Sequence, residues 1–341
     1  MDREVKKQIE QMEKVVLHLH LDGSLRPETV REWLKEEGKD VSLEEVQNAL
    51  MVEKDCRDLT EYLEKFDLPC RMLQTEDHIM QATYELFADL AKQNVIYAEV
   101  RFAPSKHLEK GLSYDEVVEA AIKGMEMAKE SYDIDGSLIL CAMRGDSREN
   151  NLNTVKTTLK HLGKGVSALD LAGAEALFPT DDYEEIFKVA NDLKIPFTIH
   201  AGEAAGPESI KKALEFGAKR IGHGVRCLED PNLVSELIQK EIPLEVCPIS
   251  NLQTKATGEN HPIEELCKRG LYVTISPDND TVSNTNINEE YEWVLEHTDL
   301  CLADLRNMNN IAARGIFATP QKKAQLIDRL NKQNFKDDKT K

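Results

Sequence analysis

Eight short β-rich runs recur along the chain, with helical patterns between them. They fall at 15–20, 95–102, 137–143, 167–172, 196–200, 219–222, 242–247 and 271–276. Strand, helix, strand in repetition demands a parallel sheet, because a parallel neighbour is reached only by a crossover. Eight such units predict a closed (β/α)8 barrel of the TIM type. The segments between the runs carry helix punctuation. Ser113 and Glu116 form a capping box at the head of one, and Pro207 and Gly217 bracket another. The rival architecture, an open doubly wound sheet, would usually show a Gly-rich phosphate loop after its first strand. None follows "VLHLHLDGS", and no G-x-x-x-x-G-K-S/T occurs.

The spacing is uneven. About 75 residues separate the first two runs, and 41–94 reads as helical throughout. An insertion of that size after the first strand would lie over the barrel mouth. Three more helical stretches, 287–298, 302–317 and 320–333, follow the last strand. Residues 1–335 read as one domain, with a disordered tail at 336–341.

The 341 residues include 43 Lys+Arg and 62 Asp+Glu, for a net charge of −19. Such a field repels phosphate backbones and anionic membranes, so neither a nucleic acid nor a membrane is an expected partner. A small neutral or cationic molecule fits better, although solubility alone would also account for the charge. No apolar run reaches 18 residues, and the charged N-terminus lacks the apolar stretch of a secretory signal. The seven cysteines are odd in number and include no C-x-x-C, and Cys141 and Cys247 sit in apolar runs. That usage predicts buried thiols in a reduced, cytoplasmic protein.

His18 and His20 stand one residue apart within the first apolar run. Alternate residues of a strand share a face, so the two imidazoles project together. Charged, they would repel. Neutral, they can converge on a divalent metal, or each can hydrogen-bond separately in the core. His200 and His223 close the fifth and sixth runs, which places four of nine histidines at strand C-termini. That end of a barrel carries active sites. The other five, His78, His107, His161, His261 and His297, fall in helical or loop segments and are expected at the surface. Asp278 and Asp280 follow the last run, where a carboxylate could complete a site of three imidazoles and one aspartate. Such a set suits Zn2+ or another divalent first-row metal. Glu203, three residues past His200, is a candidate proton shuttle or a cap of the helix opening near Pro207.

Six pieces of the chain, in order and at strand ends, resemble the adenosine deaminases of the amidohydrolase superfamily. They are "HLHLDGSLRPET" (18–29), "LAGAE" (171–175), "HAGE" (200–203), "IGHG" (221–224), "CPISN" (247–251) and "SPDN" (276–279). The resemblance spans about residues 14 to 318. It implies hydrolytic deamination of adenosine and 2′-deoxyadenosine to inosine and 2′-deoxyinosine, with release of ammonia, in purine salvage. It also implies one Zn2+ per chain, held by His18, His20, His200 and Asp278. By the same carry-over, Glu203 matches the proton donor, and His223 the histidine that orients the attacking water. Asp22 matches a residue bonding a ribose hydroxyl, and Gly173 a backbone N–H donor to a purine ring nitrogen. His20 would border the substrate as well. Many members have a second aspartate where this chain has Asn279. In the family that aspartate meets the purine N7, an acceptor, and an asparagine amide can donate there without a pKa shift.

Four rivals remain from the residues. A deaminase of free adenine or of a modified purine nucleoside would have the same metal site, and Asp22 discriminates the former. AMP deamination lacks a basic cluster near the motifs. A binuclear ester or lactone hydrolase would often have a bridging lysine, and "SALDLA" has none. A non-catalytic protein on this barrel would have lost Glu203 or a metal ligand, and none is missing. The other zinc deaminase class needs P-C-x-x-C, which is absent.

Overall fold

The computed structural model describes residues 1–53 and 56–333, so the expected tail at 336–341 lies outside the described residues. Eight strands are present: β1 (Lys14–His20), β2 (Val95–Phe102), β3 (Asp135–Met143), β4 (Val166–Ala172), β5 (Thr198–Ala201), β6 (Arg220–His223), β7 (Pro243–Val246) and β8 (Tyr272–Ile275). Their ends differ from the sequence expectation by a residue or two. β1 to β4 pair in order, as do β5 to β8, and every pairing is parallel.

Two seams close the barrel. At one, Leu169 bridges Phe197, and its N–H donates to the Pro196 carbonyl at 3.0 Å. At the other, Leu19 bridges Asp278. There the His20 N–H donates to the Asp278 carbonyl at 2.8 Å, and the Asp278 N–H to the His18 carbonyl at 3.1 Å. The second seam therefore ties a candidate ligand to the strand that carries two others.

Strands covered on both sides need not alternate apolar and polar residues. Every residue of β2 is buried, including Glu99 and Arg101. Barrel interiors are usually filled by branched apolar side chains. Here Arg101, Asp170, Arg220, Glu245 and Glu99, all fully buried, meet across the interior in ion pairs of 2.5–2.8 Å. Buried charges persist only when paired in this way.

The insertion after β1 is not helical throughout, as its pattern suggested. It holds helices Leu43–Leu50, Leu59–Leu63, Asp67–Met72 and Glu76–Lys92, and the described residues at 51–53 and 56–58 interrupt it. The interruption has a long-range cause. The Val52 N–H donates to the Val282 carbonyl in the loop after β8, and Asp58 then caps a new helix by accepting from the Glu61 N–H. The last three helices, Ile287–His297, Leu302–Gly315 and Pro320–Lys332, fall close to their expected ranges. Among the described residues, no helix is long and apolar enough to cross a membrane. All seven cysteines are free thiols, with Cys141 and Cys247 buried.

Candidate active site

Strand alternation and the second seam bring five side chains to the C-terminal end of the barrel. The His18 ring centroid lies 5.4 Å from that of His20, 4.5 Å from that of His200 and 4.8 Å from that of His223. His18 Nε2 and His20 Nε2 lie 3.2 Å and 3.5 Å from Asp278 Oδ1. His223 and Asp278 have φ of 60° and 65°. Left-handed backbone is costly for residues other than glycine and persists where the surroundings over-determine it. At both positions the main chain turns out of the strand while the side chain stays in the cluster.

Two of the imidazoles are oriented from behind by carboxylates. His18 Nδ1 is 2.9 Å from Glu245 Oε2, and His200 Nδ1 is 3.0 Å from Asp170 Oδ2. Arg101 joins the two supports, donating to Asp170 and to Glu245 at 2.8 Å each. A carboxylate at Nδ1 puts the proton on that nitrogen and leaves Nε2 an acceptor. At the front of the cluster His18 Nε2 and His200 Nε2 are therefore acceptors, turned towards Asp278 and His20. His18 Nε2 is buried and makes no hydrogen bond. His20 Nε2 and His200 Nε2 stand 3.2 Å apart. Imidazole lone pairs beside a carboxylate suit a cation.

His223 is set differently. Its Nδ1 faces the Asn251 Nδ2 amide at 3.0 Å, while Asn251 Oδ1 accepts from the Cys247 N–H. By that assignment Nδ1 accepts and Nε2 carries the proton. Nε2 lies 3.3 Å from Glu203 Oε2. His18, His200, His223 and Asp278 nevertheless each place one possible ligand atom within 4.8 Å of the others, with His20 at their edge.

Glu203 points into this space and does not cap the helix at Pro207, whose N-cap is Gly206. Its Oε1 accepts from Thr254 Oγ1 at 2.9 Å. Burial, reinforced by the Asp278 charge, pushes its pKa up to about 7. The turn that carries it is held by Glu175, which accepts from the backbone N–H groups of residues 202 to 205 and from Ser209 Oγ.

The adenosine deaminase family profile matches residues 13–333. Adenosine deaminase from Haemophilus ducreyi is 42% identical over 322 residues, 91% of this chain and 93% of that one. Its counterpart from Clostridium botulinum is 42% identical over 328 residues, 93% and 97% of the two chains. Among solved structures, the N6-methyl-AMP deaminase of Arabidopsis thaliana superposes with a TM-score of 0.84 at 27% identity, over 96% of this chain and 98% of that one. The chain belongs to the adenosine deaminase family.

In this adenosine deaminase family member the cluster opens into a cavity of about 380 Å3. Leu59, Leu63 and Phe66 of the insertion line it, so the insertion does lie over the mouth. Asp22 lines the same cavity, and its buried Oδ1 has no hydrogen-bond partner. Burial raises its pKa to about 7. Gly173 borders the cavity with φ of 107°, a conformation open to glycine. Asn279 Nδ2 donates to the Tyr62 hydroxyl at 2.9 Å.

The structure corrects the reading of the remaining histidines. His107, His161 and His261 are buried rather than at the surface. His261 Nε2 is 3.3 Å from Asn251 Oδ1, so it braces the residue that orients His223. Asp170, Glu175, Glu245, Arg101, Asn251 and Tyr62 were not singled out from the sequence. For Asp170, Glu245 and Arg101 a signal existed, since each is a charge inside an apolar run, the same anomaly that exposed His18.

Proposed function

We propose that the chain hydrolyses adenosine and 2′-deoxyadenosine to inosine and 2′-deoxyinosine plus ammonia, residues 1–335 acting as one catalytic domain in cytoplasmic purine salvage. The observation that carries this reading is the set of converging acceptors beside a buried, protonatable Glu203 in a nucleoside-scale cavity. His18, His20, His200 and Asp278 would hold one divalent ion, and mixed imidazole and carboxylate donors suit Zn2+. Bound there, it would supply a water whose pKa falls from about 15.7 towards about 7. His223 stays outside the ligand set because its Nε2–H is a donor, which suits it to orient the attacking water.

Carbon 6 of adenine is a poor electrophile. Proton donation from Glu203 to N1 as C6 is attacked keeps negative charge off the ring, and such acid assistance contributes about 10²–10⁴-fold. The Gly173 N–H and the Asn279 amide donate to other ring nitrogens, and Asp22 accepts from a ribose hydroxyl. A donor from the sugar would satisfy the bare Asp22 Oδ1, whereas free adenine would leave it unpaired. A 5′-phosphate has no such welcome. Of the two basic side chains lining the cavity, Lys106 lies 3.5 Å from Asp146, and Arg144 already donates to the Phe178 and His200 carbonyls and to Thr180 Oγ1, while Asp67 borders the same space.

The test is an absorbance assay at the adenosine-to-inosine difference band, with deoxyadenosine, adenine, AMP and N6-methylated nucleosides in the panel. Both nucleosides should turn over, with adenine and AMP far behind. Asp22→Ala should weaken nucleoside turnover much more than any turnover of adenine. Preferential use of adenine or AMP by the unaltered enzyme would reject the assignment.

A further inference from the structure

Asn279 stands at the cavity wall in a narrow slot. A Cβ placed on Gly23 would meet Asn279 Oδ1 at 1.7 Å, so the carbonyl side of the carboxamide lies hard against that glycine. Oδ1 is buried and accepts no hydrogen bond. The amide side meets Tyr62 from the helix Leu59–Leu63 of the insertion. The Tyr62 hydroxyl is 2.9 Å from Asn279 Nδ2 and 2.6 Å from Ser283 Oγ, and the Tyr62 side chain is buried. The main chain repeats the link, since the Ser283 N–H donates to the Asn279 carbonyl at 3.1 Å.

A carboxamide can turn over and exchange its donor for its acceptor, so an asparagine asked to donate needs something to choose its orientation. Tyr62 can make that choice. When its O–H donates to Ser283 Oγ, its oxygen accepts from Asn279 Nδ2 and holds the amide on the cavity side. The second amide hydrogen is then free for a ring nitrogen. We infer that Tyr62 is a positioning residue that sets the Asn279 carboxamide as a donor to the purine N7. The inference rests on the reading of Asn279 as the N7 contact. It also assigns the insertion a second task, because the segment that covers the cavity would orient a group that reads the base.

The experiment is a double-mutant cycle in kcat/KM for adenosine, using the zinc-loaded enzyme, Tyr62→Phe, Asn279→Ala and the double variant. Inhibition by 7-deazaadenosine, which lacks N7, is measured alongside. Loss of one oriented hydrogen bond should lower the Tyr62→Phe value about 3- to 10-fold. The same change should add nothing in the Asn279→Ala background and should leave the 7-deazaadenosine inhibition constant unchanged. Additive losses in the double variant, or equal weakening towards both compounds, would reduce Tyr62 to packing in the cap and overturn the inference. If Asn279→Ala leaves adenosine turnover intact, the N7 reading fails first and the inference goes with it.

Discussion

Glu203 must keep a proton near neutrality if it is to act as an acid, and its surroundings decide whether it can. It is buried and the Asp278 charge lies nearby, which together outweigh the opposing hydrogen bond from Thr254, so its pKa sits at about 7 against an ordinary 4.5. Glu203→Gln keeps the shape and the Thr254 bond but cannot release a proton. It should lose about 10²–10⁴-fold in kcat while retaining zinc content and nucleoside affinity, as metal analysis and inhibitor titration would show. A near-normal rate would remove Glu203 as donor. The candidate ligands were legible because histidines at strand ends are conspicuous. Their supports were not, since Glu245 lies 227 residues from the His18 it orients. Lys14 offers a separate test at this scale. It is fully buried at the start of β1, where its Nζ donates to the Met12 and Gln93 carbonyls, and burial lowers its pKa from 10.5 to about 7. Between those values the unfolded chain binds the extra proton, so this residue makes stability rise with pH. From pH 6.5 to 9 the gain should be about 2 kcal/mol, and denaturant titrations at the two pH values should show it flattened in Lys14→Met. Equal slopes in the two proteins would mean that Lys14 stays charged in the fold.

The turn between β5 and the helix Pro207–Phe216 shows how an element fixes a reactive group. Gly202 adopts φ of 73°, and a Cβ there would stand 2.3 Å from Ile210 Cδ1 on that helix. The turn then offers successive N–H groups to Glu175, which fixes the backbone under Glu203. Gly202→Ala must displace the Ile210 side chain or shift the turn, and it puts a Cβ on left-handed backbone. It should cost about 1–3 kcal/mol in stability and also lower kcat, because Glu203 rides on the same backbone. Thermal melts and steady-state rates would separate the two effects, and a stability loss with unchanged kcat would show that the turn does not set Glu203. The helices on either side of the insertion's break were legible from their apolar spacing. The break in the insertion was not, because local periodicity says nothing of the Val52 hydrogen bond to a loop more than 200 residues away. All eight strands were readable for the opposite reason. A strand buried on both faces advertises itself as a short apolar run even when a charge interrupts it, whatever it pairs with.

Across the whole molecule the buried charges bear on what the barrel can hold. Its interior sets Arg101 and Arg220 against Glu99, Asp170, Glu245 and, at the open end, Asp278. Two guanidinium groups face four carboxylates, all buried. Asp278 faces imidazoles and no guanidinium, and it lies 3.2 Å from His18 Nε2, which makes no hydrogen bond, so one divalent cation between them would supply the opposing charge and satisfy that nitrogen together. Stripping the metal should therefore do more than stop turnover. It should leave uncompensated charge in a low-dielectric core and lower the melting temperature by roughly 5 °C or more, since binding to the native state alone adds stability by mass action. Calorimetry of chelated and zinc-replete protein should show that gap. Readdition of Zn2+ should restore melting temperature and activity in parallel, at one equivalent per chain. If the chelated protein melts unchanged while activity disappears, the interior balances its own charge. The metal would then act in chemistry alone, with no part in holding the barrel together.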